Sequence, residues 1–274
     1  MPSDLANTCA ALNAVISGTN NVLRTRRAND FNLDVARGIV GGITGFSQFG
    51  RNEAVTTTER FIWIGAATPY LGRLQAASAL RIRAGGDVND TAAGTGARSV
   101  TIIGLDENWN AAEETIATNG VSVSAATTTT FLRLNHARVQ DVGAYGGENA
   151  GGITVETTAG IEMCLIGTGV GQTQVAAHTV PAGKTGYLYA VRATVEAAKA
   201  VTVSWYQVQN ADDVTVPFTG RRLIHRFAKS EGQSILNYVI PIALPAKTDL
   251  YATAFTETGT SAVGCTFDMI LVDD

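Results

Sequence analysis

Gly183-Lys184-Thr185 has the last three residues of a phosphate-binding loop, in which backbone amides and a lysine hold phosphate oxygens at a helix N-terminus. The rest of that motif is missing. His178 stands where its first glycine belongs, Pro181 interrupts it, and Gly186 to Val195 alternates like a strand, so a turn is the reading left. Gly167-Thr168-Gly169-Val170-Gly171 lacks the spacing and the βαβ setting of a dinucleotide fingerprint and reads as a loop. Asp106-x-Asn108-x-Asn110 starts like a calcium loop, but alanines replace its turn glycine and its closing glutamate. That segment reads as a hairpin tip. Asp87, Asn89 and Asp90, in a glycine-rich loop, offer oxygen ligands to a calcium ion but again fit a plain loop better. His136, His178 and His225 fall in three separate contexts, and Ser204 and Ser234 lie in strand-like runs without a nucleophile elbow. Spacing alone assembles no catalytic triad, metal set or cofactor site, so the expectation is a chain without catalytic, metal or cofactor residues.

Two basic clusters remain. Arg24, Arg26, Arg27 and Arg37 lie near the N-terminus, and Arg221, Arg222, His225, Arg226 and Lys229 form the second. Guanidinium forks suit bidentate bonds to carboxylates, so Arg24, Arg26, Arg27, Phe31, Leu33 and Arg37 are candidates for a subunit interface. A net charge of -4 and the lack of aromatics among the basic residues argue against nucleic acid. Trp109 and Tyr145 are the side chains to consider as aromatic platforms for a glycan, whereas Trp205 alternates with polar residues and belongs to a core.

The elements that must position these groups are mostly strands. Of 274 residues, 45% are hydrophobic and 16% charged, which supports a folded core. Glycine, threonine, valine and alanine dominate and lysine is scarce, a usage that favours sheet over helix. No apolar run approaches the roughly 18 residues that cross a bilayer, and the N-terminal residues lack the basic and apolar regions of a secretory signal. Cys9, Cys164 and Cys265 are far apart and read as small apolar fillers in a reducing compartment.

Residues 1–57 read as an extended arm with a short helix over Asn7–Gly18. Phe31 to Val35 alternates apolar with polar, and the glycines that follow favour turns. Residues 58–158 read as a first β region, with strands near Phe61–Ile64, Ala79–Arg83, Ser99–Ile103, Glu113–Thr118 and Thr129–Leu134. Asn119-Gly120 suits a type I′ hairpin turn, and a meander is the simplest arrangement. Residues 159–274 read as a β-sandwich of about seven strands. Tyr187, Tyr189, Val191, Ala193 and Val195 share one face, Val201, Val203 and Trp205 alternate, and Val214–Phe218, Arg222–Phe227, Ser234–Ile240, Leu250–Phe255 and Cys265–Val272 follow. The expected class is all-β, an antiparallel sandwich or jelly roll behind an N-terminal arm.

The runs from Asn89 to Asp106, Asn110 to Thr115 and Phe131 to Asn135, with Asn119-Gly120, resemble tailed-bacteriophage virion structural proteins. Gly171-Gln172-Thr173, Thr179 to Leu188, Pro245 to Leu250 and the ending Phe267 to Asp273 are similar to the same family. The resemblance spans roughly residues 87–274 and leaves out the arm. It implies a non-enzymatic part of the particle, such as a head decoration, head fibre or spike, neck or tail component. Such a protein would be made in the bacterial host cytoplasm, located in the virion, and partnered by copies of itself, with a trimer the expected form, and by other virion proteins. A sandwich module that binds a host glycan through Trp109 and Tyr145 is the alternative.

Overall fold

Strands account for 58% of the described residues and helix for 3%, as the valine- and threonine-rich runs demand. The structure, a computed structural model, describes residues 30–65, 73–196 and 199–274. These hold α1 (Asp30–Ala36), β1 (Ile43–Val55), β2 (Arg60–Phe61), β3 (Arg73–Ile82), β4 (Ala97–Asp106), β5 (Ala111–Ala117), β6 (Thr130–Val142), β7 (Ile153–Thr157) and β8 (Glu162–Ile166). They continue with β9 (Ala177–Thr179), β10 (Lys184–Val195), β11 (Val201–Val208), β12 (Arg222–Ser230), β13 (Gln233–Leu244), β14 (Asp249–Thr256) and β15 (Ser261–Asp273). The chain divides at Thr44/Gly45 into two compact units.

In the first unit the alternation from Phe31 to Val35 forms α1 rather than an extended run. Gly38, at φ 68°, explains why. A left-handed residue lets Ile39 N–H donate to Asp34 O (2.9 Å) and Gly38 N–H to Val35 O (3.0 Å), the paired bonds that close a helix C-terminus. Phe31 and Leu33 are 44% and 54% exposed, and Arg37 also faces solvent. The expected helix over Asn7–Gly18 and Arg24, Arg26 and Arg27 lie outside the described residues.

The second unit contains an antiparallel sandwich whose strand order defines a jelly roll. One sheet runs β1-β15-β10-β13, and the other runs β12-β11-β14 with β2 and β9 beyond. In chain order these are four nested antiparallel pairs, β11 with β12, β10 with β13, β14 with β2 and β9, and β1 with β15. A long hairpin wound once around itself gives that order. Its core lies between the sheets, with Leu188, Val191, Phe267 and Met269 on one side and Val203, Trp205, Leu250 and Ala252 on the other.

One strand of the roll is broken. β2 pairs with Thr253 and Ala254, and β9 pairs with Asp249 to Tyr251, so the two lie end to end along β14. They meet at Ala252, which accepts from Ile62 N–H (3.1 Å) and donates to Ala176 O (2.9 Å). Trp63 and Val175 bridge just beyond the meeting point. The described residues between them form an inserted sheet, β5-β4-β6-β3-β7-β8, with its own core around Leu80, Val100, Phe131, Leu134 and Met163. An insertion whose two ends are adjacent leaves the host sheet intact.

The expected divisions at 57/58 and 158/159 therefore fall elsewhere in space. β1, expected as arm, flanks β15, and β1 and β2 join the same sandwich as β9 to β15. The inserted sheet is not a simple meander, because β4 sits between β5 and β6. Gly120 does adopt positive φ (60°), but its N–H donates to Asp90 O (2.7 Å), so this turn docks on the 87–91 loop instead of closing a hairpin. Val214–Phe218 forms no strand. Asp213 Oδ1 accepts from Thr215 N–H and Oγ1 (3.1 and 2.9 Å), and Pro217 has no donor for a ladder. No helix among the described residues is long and apolar enough to cross a membrane.

Candidate functional site

β6 forms the seam between the inserted sheet and the sandwich. Its Asn135 exchanges two bonds with Thr179 of β9, Nδ2–H to Thr179 O (3.2 Å) and Oδ1 from Thr179 N–H (2.9 Å). Beside it, the Arg133 guanidinium, 4% exposed, donates through Nε to Asp249 Oδ1 (3.1 Å). Asp249 also accepts from Thr179 Oγ1 (2.6 Å), and Arg73 lies 2.8 Å from its second oxygen. The remaining Arg133 donors reach Leu74 O, Leu132 O and Ala211 O (2.8–3.2 Å). A buried carboxylate between two guanidiniums, with these neutral partners, satisfies charges that would otherwise oppose folding.

A cleft of about 400 Å³ opens beside this seam. Phe46, Phe49, Ile103, Leu105, Ala111, Pro181 and Leu271 give it apolar walls, and His136, His178 and Gln48 also line it. The two histidines, remote in sequence, meet here because β6 and β9 adjoin. His136 Nδ1 lies 3.0 Å from Thr173 Oγ1. The His178 ring lies tilted against Phe46, with ring centroids 4.6 Å apart, and both its nitrogens are buried without a hydrogen-bond partner.

Burial pushes His178 down to about 3, against a smaller opposing pull from Asp249. In the unfolded chain it protonates near 6.5. The unfolded state then binds the extra proton between these values, so His178 removes stability as pH falls below 6.5. We expect a loss of about 1.4 kcal/mol per pH unit from this group. His136 and His225, also lowered by burial, add to the same slope. Urea denaturation at pH 7 and pH 5 should show that His178→Gln removes about 2 kcal/mol of the acid sensitivity. Equal pH dependence in the variant and the parent would mean that this ring is solvated.

A third feature lies on the open side of the roll, where β12 ends one sheet and β13 the other. Pairing of β10 with β13 passes from Leu188↔Ile242 to Ala190↔Asn237, so Tyr189 alone faces the Tyr238–Pro241 stretch. The extra residues bulge outward. Val239 is 100% and Ile240 83% exposed, with Ile235 and Leu223 also uncovered. Pro241 lacks an N–H, and a bulge with a proline prevents strand-to-strand pairing while leaving apolar side chains presented.

The remaining sequence candidates are distributed as follows. Trp109 is only 7% exposed, packs with Leu105 and Leu132, and carries the Arg133 guanidinium 4.6 Å over its ring, so it offers no platform to a glycan. Its place at the hairpin tip suggested exposure, but the inserted sheet folds that tip onto the seam, where Ala182 N–H donates to Trp109 O (2.8 Å). Tyr145 is fully exposed. Trp205 is fully buried, as its alternation required. The Asp90 carboxylate accepts from the N–H groups of Ala97, Ala150 and Gly151 (2.7–2.8 Å), which uses the oxygens a cation would need. Among the described residues no group of three His, Cys, Asp or Glu side chains could hold a metal ion. Cys164 and Cys265 are free and buried, and burial pushes both thiols up. In the second basic cluster, Arg221 lies over Tyr206 (4.3 Å) and pairs with Glu59 (3.2 Å), while Arg226 donates to Ser204 Oγ (3.0 Å). The pairing of Arg133 with Asp249 gave no sequence signal, since 116 residues separate them.

No family model matches the chain. No curated protein matches it either. Among solved structures it has a faint likeness to isomalto-dextranase of Arthrobacter globiformis T6 complexed with panose (12% identity, TM-score 0.22), covering 84% of this chain and 35% of that one. The chain thus spans about a third of the enzyme's length. Similar likenesses are to an insecticidal delta-endotoxin of Bacillus thuringiensis (7% identity, TM-score 0.19, 81% and 60% covered) and to the infectious bursal disease virus Gx strain (7% identity, TM-score 0.22, 84% and 75% covered). Likenesses at this level decide neither fold nor function.

Proposed function

We propose that this protein is a non-enzymatic structural subunit of a virus particle, which works by burying surface against copies of itself and other particle proteins. The observation that carries the reading is the order of the two sheets, an eight-position jelly roll whose β12–β13 side leaves an apolar bulge in solvent. Jelly rolls serve capsids, lectins and cupins alike, so the fold alone does not choose among them. A cupin-type metal site has no ligand set among the described residues. The glycan alternative loses Trp109 to the seam. The resemblance of residues 87–274 to tailed-bacteriophage virion proteins supports a place in such a particle. The exposed Phe31, Leu33 and Arg37 in the N-terminal unit are suited to contacts with neighbours.

The test is quantitative mass spectrometry of purified particles, counting this chain against the major capsid protein. Hundreds of copies place it in the shell, and a few to a few dozen in a vertex, neck or tail. Absence from the particle overturns the reading.

A further inference from the structure

The inserted sheet and the roll each keep a core of their own, around Leu80, Val100 and Phe131 in one and Leu188, Trp205 and Phe267 in the other. What joins them at the seam is mostly polar. The Gln48 amide donates to Asn135 O (2.9 Å) on β6 and to Ala177 O (2.7 Å) on β9. Asn135 and Thr179 exchange their two bonds, and Ala182 N–H donates to Trp109 O (2.8 Å). β9 is only three residues long, pairs with β14, and meets β6 through these side-chain bonds.

His178 is the middle residue of this short strand. Its ring nitrogens are shut off from water and lack partners, and the groups around it are poorly placed to accept a charge. Asp249 and Tyr251 of β14 and Arg73 of β3 line a small hole with it, while His136 of β6 and the uncharged Phe46 and Gln48 of β1 line the cleft with it. Asp249 is the one carboxylate in that set, and it already serves Arg133, Arg73 and Thr179 Oγ1. Two guanidiniums to one carboxylate leave a third cation without a counter-charge. The pull of Asp249 on the ring is accordingly smaller than the cost of burial.

We propose that the seam is an acid-operated latch, in which His178 takes up a proton from water only when β9 parts from β6, so that acid opens the inserted sheet from the roll while both cores stay folded. Parting breaks the seam hydrogen bonds and the contact of Leu105, Trp109 and Leu132 with Ala182 and Ala211. It also separates Arg133 from Asp249, but both charges then gain water, unlike a charge stranded by substitution. Neither large core is exposed, so this opening lies below global unfolding in free energy. Below the ordinary histidine value the open form binds one proton more than the closed form, so the open-to-closed ratio rises about tenfold per pH unit there and about thirtyfold from pH 7.5 to pH 5. The latch is a property of the fold and does not depend on a place in a particle.

Hydrogen exchange of the full chain at pH 7.5 and pH 5, resolved to single amides and corrected for the intrinsic pH dependence, is the test. Two amides report the seam directly, Thr179 N–H, which donates to Asn135 Oδ1, and Ala182 N–H, which donates to Trp109 O. Their protection should fall about thirtyfold between the two pH values. At pH 5 they should exchange at least about tenfold faster than the amides of β10 and β11. His178→Phe keeps a ring against Phe46 but takes no proton, and it should hold the fall below about threefold. His178→Gln should do the same and serves in its place if circular dichroism shows the phenylalanine variant unfolded. His136→Gln, on the facing strand, should leave most of the fall in place. Protection that does not change with pH in the parent, a fall of equal size in the His178 variants, or a fall abolished by His136→Gln alone would each overturn the latch. So would seam amides protected at pH 5 to the same degree as β10 and β11, since the proton would then enter only through unfolding of the whole roll.

Discussion

Trp205→Ala is expected to lower the stability of the sandwich by about 3–5 kcal/mol, and the melting temperature by roughly 6–20 °C. The indole is fully buried between the sheets and meets Phe267 edge to face at 5.7 Å, and Phe267 in turn meets Phe46 at 6.2 Å. Truncation removes the largest single side chain from that stack and leaves a cavity that well-packed strands cannot close. Trp205→Phe should cost much less. The indole N–H is buried without an acceptor, so losing it relieves a penalty that partly offsets the lost area. Urea denaturation of the three proteins, followed by far-UV circular dichroism, checks this. A loss below about 1 kcal/mol for the alanine variant would show that this aromatic stack does not hold the roll together.

What the sequence makes legible follows from local rules. Alternation is enough to assign the strands at Tyr187–Val195 and Val201–Trp205 and the burial of Trp205. The single face expected for Tyr187, Tyr189, Val191, Ala193 and Val195, however, is broken by a bulge between Leu188 and Ala190, which turns Leu188 into the core with Val191 and leaves Tyr189 exposed. The broken strand is illegible by the same rules. β2 and β9 contribute two and three residues, too few for any period, and only the long strand β14 brings them into line. Without that strand the roll looks like two successive β regions instead of one interrupted by the other. Val214–Phe218 shows the opposite error, an apolar alternation overridden by the turn chemistry of Asp213 and Pro217. The site fared worse than the fold. His136 and His178, like Arg133 and Asp249, become neighbours because β6 packs through its side chains against β9 and β14, which no spacing announces. Trp109 misled because a hairpin tip is exposed by default, and here another segment covers it.

Asp249→Ala is expected to be as damaging as loss of the core indole, by about 3–5 kcal/mol, through a different mechanism. The carboxylate is 3% exposed and compensates Arg133, itself 4% exposed, while also holding Thr179 Oγ1 and Arg73. Its removal leaves a guanidinium buried with only carbonyl oxygens and the Trp109 face for company. A cation stranded in this way costs more than the ion pair contributes when intact. Arg133→Met in the same chain should therefore restore most of the loss, since an apolar side chain of similar length can fill the space without a charge. The damage should be concentrated at the seam. Arg133 ties β6 to β3 through Leu74, to the 209–212 loop through Ala211 and to β14 through Asp249, so the inserted sheet should loosen on the roll before either core melts. Hydrogen exchange read by mass spectrometry should then show faster exchange in β6 and β9, with β10, β11 and β15 unchanged. A single variant that loses less than about 1 kcal/mol, or a double variant no more stable than Asp249→Ala alone, would mean that the Asn135–Thr179 bonds and the apolar contacts position the inserted sheet without the buried charges.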